Sequence, residues 1–350
     1  MQFFICSDLH IEKTYPTVPK VKEIFKGVDP NSRLILNGDV GRLEYWEQYI
    51  SFISACCSYF QSVFLVLGNH EYYVQSDVGL GMDELLSKIK TLTLLHDNLQ
   101  ILDNSYIVLS HERLVIFGST FWSFYPVSNE SPQKDDYGVF RTKVELAPLS
   151  SVLPREVPKE LPSVMLQSVT PLGCANFVLS KQVWRDFVGV EDKDAFFQKV
   201  PTSSKTEAPS FRRYQKFPNV PINLSHGRRI TASSWNALHF IAKVALERAI
   251  HDTQKLGYKL MVITHYAPTF NNTLDEKYSS AGISNYLYCS NCDEYLSDKL
   301  VVLWIYGHTG HSSKYRHDGG TFVYSNQYNK PGYSTELISP EQFDRIEYGS

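Results

Sequence analysis

Short apolar runs without polar alternation recur along the chain, and each ends abruptly in polar residues or glycine. QFFIC leads into Ser7, Asp8, Leu9 and His10; RLIL into Asn37, Gly38 and Asp39; SVFLVL into Gly68, Asn69, His70 and Glu71. Further on, KLMVI leads into Thr264 and His265, and LVVLWIY into Gly307 and His308. Runs of this length, rich in β-branched and aromatic residues, predict strands buried on both faces. Helical periodicity lies between them, from Glu44 to Tyr59 and from Ser233 to Lys255, the second with Thr231, Ser233 or Ser234 able to cap its start. Strands alternating with helices predict a layered α/β fold. Two strands, Ser105 to Leu109 and Leu114 to Gly118, flank a polar turn that makes His111 a turn residue rather than a ligand. Thr321 to Tyr324 reads as another short strand.

From Val127 to Ser225 this regularity fails. Prolines recur from Pro132 to Pro221, and only Phe177 to Lys199 keeps a helical rhythm. A connection of that length far exceeds an ordinary loop, so it predicts an inserted subdomain or lid. The expected organisation is a core of residues 1–127 and 226–350 with residues 128–225 inserted. The insertion would border the crevice and narrow substrate choice.

Composition narrows the classes of function. With 350 residues, 43% hydrophobic and 20% charged, the chain can bury a sizeable core. A net charge of -3 supplies no overall basic field, so it gives no general attraction to nucleic acid or anionic membrane. The opening MQFFICSDLH lacks the pattern of a secretory leader and no apolar run reaches the length of a membrane span, so a cytoplasmic protein is expected. Cys6, Cys56, Cys57, Cys174, Cys289 and Cys292 are accordingly expected as reduced thiols. Cys289 and Cys292 form a CxxC with no second pair to complete a zinc tetrahedron, so a helix-flanking loop is the expectation there.

Loops leaving the carboxyl ends of strands in an open α/β sheet converge on one crevice. If the five runs share one layered core, Asp8, His10, Asp39, Asn69, His70, His265 and His308 come together at one edge. Mixed oxygen and imidazole donors suit Mn²⁺, Fe²⁺ or Zn²⁺ better than Ca²⁺. The donors are too many for one four-coordinate ion, whereas two ions sharing a carboxylate fit the count. Each residue alone has a structural explanation, as a cap, a turn or a buried histidine. Five caps and turns have no reason to fall in this order.

The residues in order, Asp8-x-His10, Gly38-Asp39, Gly68-Asn69-His70-Glu71, Thr264-His265 and Gly307-His308, resemble the signature of the calcineurin-like metallophosphoesterases. SDLHIE, LGNHEYY, GSTFW, THYAP and WIYGHT are most similar to small bacterial-type members. The resemblance spans residues 1 to about 127 and about 226 to 335. It implies an α/β/β/α sandwich and a dinuclear metal-dependent phosphohydrolase that cleaves a phosphomonoester or phosphodiester with a metal-bridging hydroxide. By position, Asp8 and His10 would hold the first metal, Asp39 would bridge, and Asn69, His265 and His308 would hold the second. Mn²⁺ is the expected ion. His70 would orient a phosphate oxygen or protonate the leaving group, as an imidazole can. Glycines 38, 68 and 307 would let the backbone turn off each strand and substrate oxygen approach.

The chain departs from the family's GHxH, because Gly310 stands where its second histidine would complete the first metal site. Two readings stay open: either His311 reaches back to the metal, or that metal lacks one protein ligand. Two other functions compete with a phosphatase. One is a nuclease or cyclic-nucleotide phosphodiesterase, and the other a decayed metallophosphoesterase serving as a binding scaffold. Tyr72 and Tyr73 are expected to pack rather than stack on a base, and Phe211, Arg212, Arg213, Tyr214, Arg228 and Arg229 to form a solvated face. His96, His226, His239, His251 and His317 fit no partner pattern.

Overall fold

Four parallel strands carry the first apolar runs: β1 (Phe3–Cys6), β2 (Arg33–Asn37), β3 (Ser62–Val66) and β4 (Leu99–Ile101) lie in that order in one sheet. The structure, a computed structural model, describes residues 2–75, 79–125, 164–168, 220–225, 228–275, 282–339 and 342. A second sheet has the order β12-β13-β11-β10-β6-β5-β7. Its members are β5 (Ser105–Leu109), β6 (Leu114–Ser119), β7 (Val164–Ser168), β10 (Lys259–Thr264), β11 (Val301–Tyr306), β12 (Ser313–Arg316) and β13 (Phe322–Ser325). Strands β6, β10, β11 and β13 run parallel, while β5, β7 and β12 are antiparallel to their neighbours. The five runs thus divide three and two between separate sheets.

Alternation along the strands builds the layers. Phe3, Ile5, Ile35, Phe64 and Val66 pack against Ile107, Ile116, Met261, Ile263 and Ile305 in an apolar layer between the sheets. The alternate residues Phe4, Cys6, Leu34, Leu36 and Leu65 point outward to Phe52, Ile53 and Cys56 of α3 (Trp46–Tyr59). On the far side Val115, Phe117, Leu260 and Val262 meet Ala242, Ala245, Leu246 and Ala249 of a 25-residue helix, Ala232–Leu256. The result is an α/β/β/α sandwich. The long helix begins at Thr231, whose side chain accepts from the Ser234 amide, and stops at Gly257, where φ is 64°. A bulge where Leu260 and Met261 face Val301 and Leu303 resets β11, so that both Val302 and Leu303 join the inter-sheet layer.

The remaining helices are short: α1 (Ile11–Thr14), α2 (Val21–Ile24), α4 (Met82–Lys90) and Asp293–Leu296, numbered α6 after the long helix α5. Beyond β13, the amide of Phe3 donates to Ile338 and the amide of Ile338 donates back to Phe3, which closes the free edge of β1.

Most of the proline-rich stretch lies outside the described residues, including Phe177 to Lys199, Phe211, Arg212, Arg213 and Tyr214; so does His226. Its described parts touch the core. Strand β7 extends the second sheet beside β5, and Val220, Ile222 and Leu224 join the cluster outside the first sheet. Asn223–Ser225 (β8) pairs with Arg228–Arg229 (β9). Cys6, Cys56, Cys57, Cys289 and Cys292 are free and buried, and burial pushes the thiols of Cys289 and Cys292 up to about 12. These two flank the start of α6 and belong to the apolar cluster under α5. Cys174 lies outside the described residues. Among the described residues no helix is long and apolar enough to cross a membrane.

Leu246 is fully buried between α5 and the second sheet. Leu246→Ala should cost about 2–5 kcal/mol through the cavity it leaves. A urea titration followed by circular dichroism should show an earlier midpoint.

Candidate metal centre

The loops after β1, β2, β3, β10 and β11 meet where the carboxyl ends of the two sheets lie side by side. Four of their residues have left-handed backbone: Asp8 (φ 57°), His10 (φ 45°), Asp39 (φ 52°) and His308 (φ 68°). Each such non-glycine residue costs roughly 1–2 kcal/mol. Strain concentrated at one place marks a functional site.

Asp39 is the centre of this group. Its Oδ1 accepts from the His70 amide at 2.8 Å and lies 3.2 Å from His265 Nε2. Its Oδ2 faces the other way, 3.8 Å from His10 Nε2 and 3.9 Å from His70 Nε2. Asn69 Nδ2 donates to the Tyr73 hydroxyl, which turns Asn69 Oδ1 to within 3.1 Å of His265 Nε2. His265 Nδ1 lies 3.0 Å from the carbonyl oxygen of Asn37, and His308 Nε2 lies 3.1 Å from that of Leu287. These carbonyls accept only, so each ring commits one N–H to backbone; the other nitrogen of His308 is left to ligate, and that of His265, facing the Asp39 and Asn69 oxygens, could ligate on losing its proton. Asp8 Oδ2 accepts from Ser7 Oγ and from the His308 amide, which joins the two sheets directly.

Burial dominates the electrostatics. It pushes the Asp8 carboxyl up to about 6, aided by Asp39 and opposed by His265. Burial would raise Asp39 too, but His265, with His70 and His10, outweighs it and holds that carboxyl well below its usual range. Burial works to lower His265, yet Asp39 overrides it and raises the ring to about 9. Desolvation lowers His70 and His308 to about 3 and lowers His10 as well. Three neutral imidazoles therefore sit beside ionised Asp39, and neutral imidazole is the form that binds metal.

The donors form overlapping groups whose ligand atoms lie within 4.8 Å of one another: Asp8, His10 and Asp39; Asp39, His265 and His308; and His10, Glu12 and His70. The six residues that the resemblance assigns to the metals, Asn69 included, thus gather here, and the carboxylate, amide and imidazole set fits two divalent ions. His311 is in none of the groups. Its Nδ1 is buried without a hydrogen-bond partner, and its carbonyl accepts from Gln327 Nε2 at 2.9 Å. Gly310 is left-handed at φ 70°, with open space where a Cβ would project.

The glycines serve differently from one another. Gly38, at φ 95°, makes the turn. A Cβ on Gly68 would collide with Asp39 and His265, and one on Gly307 would stand 2.9 Å from Asp8 Oδ2. At these two positions the missing side chain makes room for ligands rather than for substrate.

Sequence reasoning assigned no role to Glu71. The residue is fully buried, and its carboxylate accepts from the amides of Gly68 (2.7 Å), Asp39 (2.9 Å), Val40 (2.7 Å) and Gly41 (3.3 Å) and from the Tyr49 hydroxyl (3.3 Å). It ties the loop that carries Asp39 to the loop that carries Asn69 and His70. Its place in GNHE was the available signal, but nothing in the sequence says that its acceptors serve another loop. Other histidines are structural: His96 bonds Ser54, His239 bonds the Trp122 carbonyl, and His317 lies 3.7 Å from Asp293. Tyr72 is buried against Trp122, and Tyr73 stacks on His70 at 4.2 Å.

Residues 1–160 match the model of the calcineurin-like phosphoesterases. The matched residues, somewhat under half of the chain, carry Asp8, His10, Asp39, Asn69 and His70, and this likeness supports a metal-dependent phosphoesterase. His265 and His308 lie beyond the matched residues, and their contacts with Asp39 and Asp8 attach them to that part of the chain. Among solved structures the chain is similar to a phosphopantetheinyl hydrolase from Mycobacterium tuberculosis, with 12% identity, 97% of this chain and 96% of that chain covered, and a TM-score of 0.51. At that identity the likeness concerns the fold alone. A dimetal phosphatase from Danio rerio shares 11% identity, with 93% and 87% covered, at a TM-score of 0.37. No curated protein matches the chain in sequence.

Glu71→Ala would leave four buried amides without an acceptor. Each such group costs about 1–3 kcal/mol, so denaturant titration should show a loss of at least about 3 kcal/mol. Glu112→Ala, which breaks the partly exposed pair with Arg33, should change stability by less than about 1 kcal/mol.

Proposed function

We propose that the chain hydrolyses a phosphate ester at a dinuclear centre bridged by Asp39. The observation that carries this reading is the division of the Asp39 carboxylate, with Oδ1 toward His265, whose ring also meets Asn69, and Oδ2 toward His10. Asp8, His10 and Asp39 would hold one ion; Asp39, Asn69, His265 and His308 would hold the other. The absence of His311 from the donor groups favours the reading in which the first ion lacks one protein ligand. Mixed oxygen and imidazole donors suit Mn²⁺, Fe²⁺ or Zn²⁺, and Mn²⁺ is the ion we propose. When bound, the ions supply Lewis-acid charge that activates water and neutralises phosphoryl oxygens.

His70 is the proton-handling group. Its Nδ1 lies 3.4 Å from the Lys13 ammonium, which can only donate. The ring proton is therefore on Nε2, which faces the Asp39 side of the centre. Stacking on Tyr73 fixes the ring plane. From there Nε2–H can bond a phosphoryl oxygen, or pass its proton to the leaving alkoxide as Nδ1 takes one from the Lys13 ammonium, so that the ring stays neutral.

We assign residues 1–127 and 226–350 to the core and 128–225 to an insertion that borders the crevice. Free, buried thiols fit a reducing compartment such as the cytoplasm.

Metal-stripped protein should gain hydrolysis of p-nitrophenyl phosphate or its phosphodiester as Mn²⁺ is titrated in, and the preferred ester identifies the substrate class. Asp39→Asn should abolish that gain. Metal uptake with no turnover on either ester would sink the enzyme and leave the scaffold. His70→Ala should reduce kcat on an alkyl phosphate at least roughly 10-fold more than on the p-nitrophenyl ester, because only a poor leaving group needs the proton. Equal losses would remove His70 from that role.

A further inference from the structure

Resting on the dinuclear reading, we infer that Glu12 is the positioning carboxylate of His10, with Arg42 as its counter-charge. His10 and Glu12 flank the buried Ile11 at the start of α1, and the left-handed backbone of His10 brings the two side chains together. The Glu12 side chain is 4% exposed, yet neither of its oxygens has a hydrogen-bond donor. His10 Nδ1 and Arg42 Nε are likewise buried without partners. Each lies 3.9 Å from Glu12 Oε1, not far beyond the usual limit of about 3.2 Å. Buried polar groups are almost always paired, and here three complementary ones lie within reach of one another.

Ring chemistry decides how they pair. His10 Nε2 faces Asp39, so Nδ1 is the nitrogen turned away from the centre. A ligating histidine ordinarily donates its second N–H to a carboxylate, which sets its tautomer and aims the ring. Glu12 is the carboxylate placed to accept. A Cβ on Gly41 would lie 2.8 Å from Ile11 and 3.3 Å from Glu12 Oε2, so the glycine makes room for both side chains. Arg42 is anchored over the Tyr73 ring at 5.7 Å, and Tyr73 stacks on His70, so the counter-charge is held by the same cluster. His10, Glu12 and His70 could be taken for a third cation site. The Lys13 ammonium at His70 Nδ1 opposes a dication there, and His10 would have to ligate through both nitrogens.

The test is equilibrium dialysis against Mn²⁺ of the full chain as wild type, Glu12→Gln, His10→Ala and the double variant, with circular dichroism to check folding. Glu12→Gln should weaken one of two sites roughly 10- to 100-fold and leave the other unchanged. In the His10→Ala background the same substitution should change nothing further, because the ring it positions is gone. Wild-type affinity in Glu12→Gln, or equal weakening with and without the His10 ring, would overturn the inference while leaving the dinuclear centre intact. Failure of the wild type to take up two ions would instead overturn the dinuclear reading and this inference with it. Should Glu12→Gln not fold, Glu12→Asp, whose shorter carboxylate cannot reach Nδ1, must show the same selective weakening.

Discussion

A single carboxylate without access to water holds the site loops in register. Glu71 follows Asn69 and His70 in the chain, yet three of its acceptor contacts go to Asp39, Val40 and Gly41, some thirty residues earlier. Those amides sit where the backbone leaves β2 through Gly38 and the left-handed Asp39, a turn that cannot satisfy them within itself. Glu71 therefore fixes where Asp39 stands relative to Asn69 and His70. An amide in its place would present N–H groups to N–H groups at one of the two oxygens. The positive φ of Asp39, the closeness of Gly68 and the orientation of His70 all follow from that anchorage.

The same crowding shapes the charge balance. Asp8, Asp39 and Glu71 are buried close together, and burial with mutual repulsion pushes Asp8 to about 6 and Glu71 to about 8, while His265 works against both. Of the four ring histidines, only His265 is raised, because it alone lies at 3.2 Å from Asp39. An excess of buried negative charge beside imidazoles held neutral is unfavourable for a protein left to itself. It is the arrangement that divalent cations relieve, since they favour ionised carboxylates and unprotonated rings together.

Much of this was legible in the sequence, for identifiable reasons. Apolar runs ending in Asp, His or Gly marked β1, β2, β3, β10 and β11, because strands covered on both faces need no polar alternation. The gathering of the donor side chains followed, since side chains just past strand ends have few places to go. The partition of the runs into two sheets rested on family resemblance, because apolar runs do not encode which strands are neighbours. The bulge that brings both Val302 and Leu303 inward left no mark in an unbroken apolar run. Glu12 and Glu71 escaped for a different reason. Their roles depend on groups contributed by a loop thirty residues away, and a carboxylate beside a histidine looks the same in sequence whether it faces solvent or a buried amide.

The division of labour between the sheets has a mechanical consequence. Asp8, His10, Asp39 and Asn69 leave the first sheet, whereas His265 and His308 leave the second. Among the described residues no strand of one sheet pairs with a strand of the other; an apolar layer lies between them. Apolar packing resists separation well but is non-directional, so it fixes relative sliding less sharply than hydrogen bonds do. At the site edge the directional ties are few: His308 N to Asp8, the ring of His265 to Asp39, Asn69 and the Asn37 carbonyl, and the segment after β13 to the end of β1, through Ser7 with Asn326 and Tyr328 and through Asn326 Nδ2 to the Ile5 carbonyl. Ions coordinated from both sides would add directional bonds where apolar packing provides none. A ligand that binds only the native state stabilises it by mass action, and here it would do so by locking one sheet against the other. Catalytic geometry and the alignment of the sandwich would then depend on the same few bonds, which gives a physical reason for the strained ligand residues to persist at this edge.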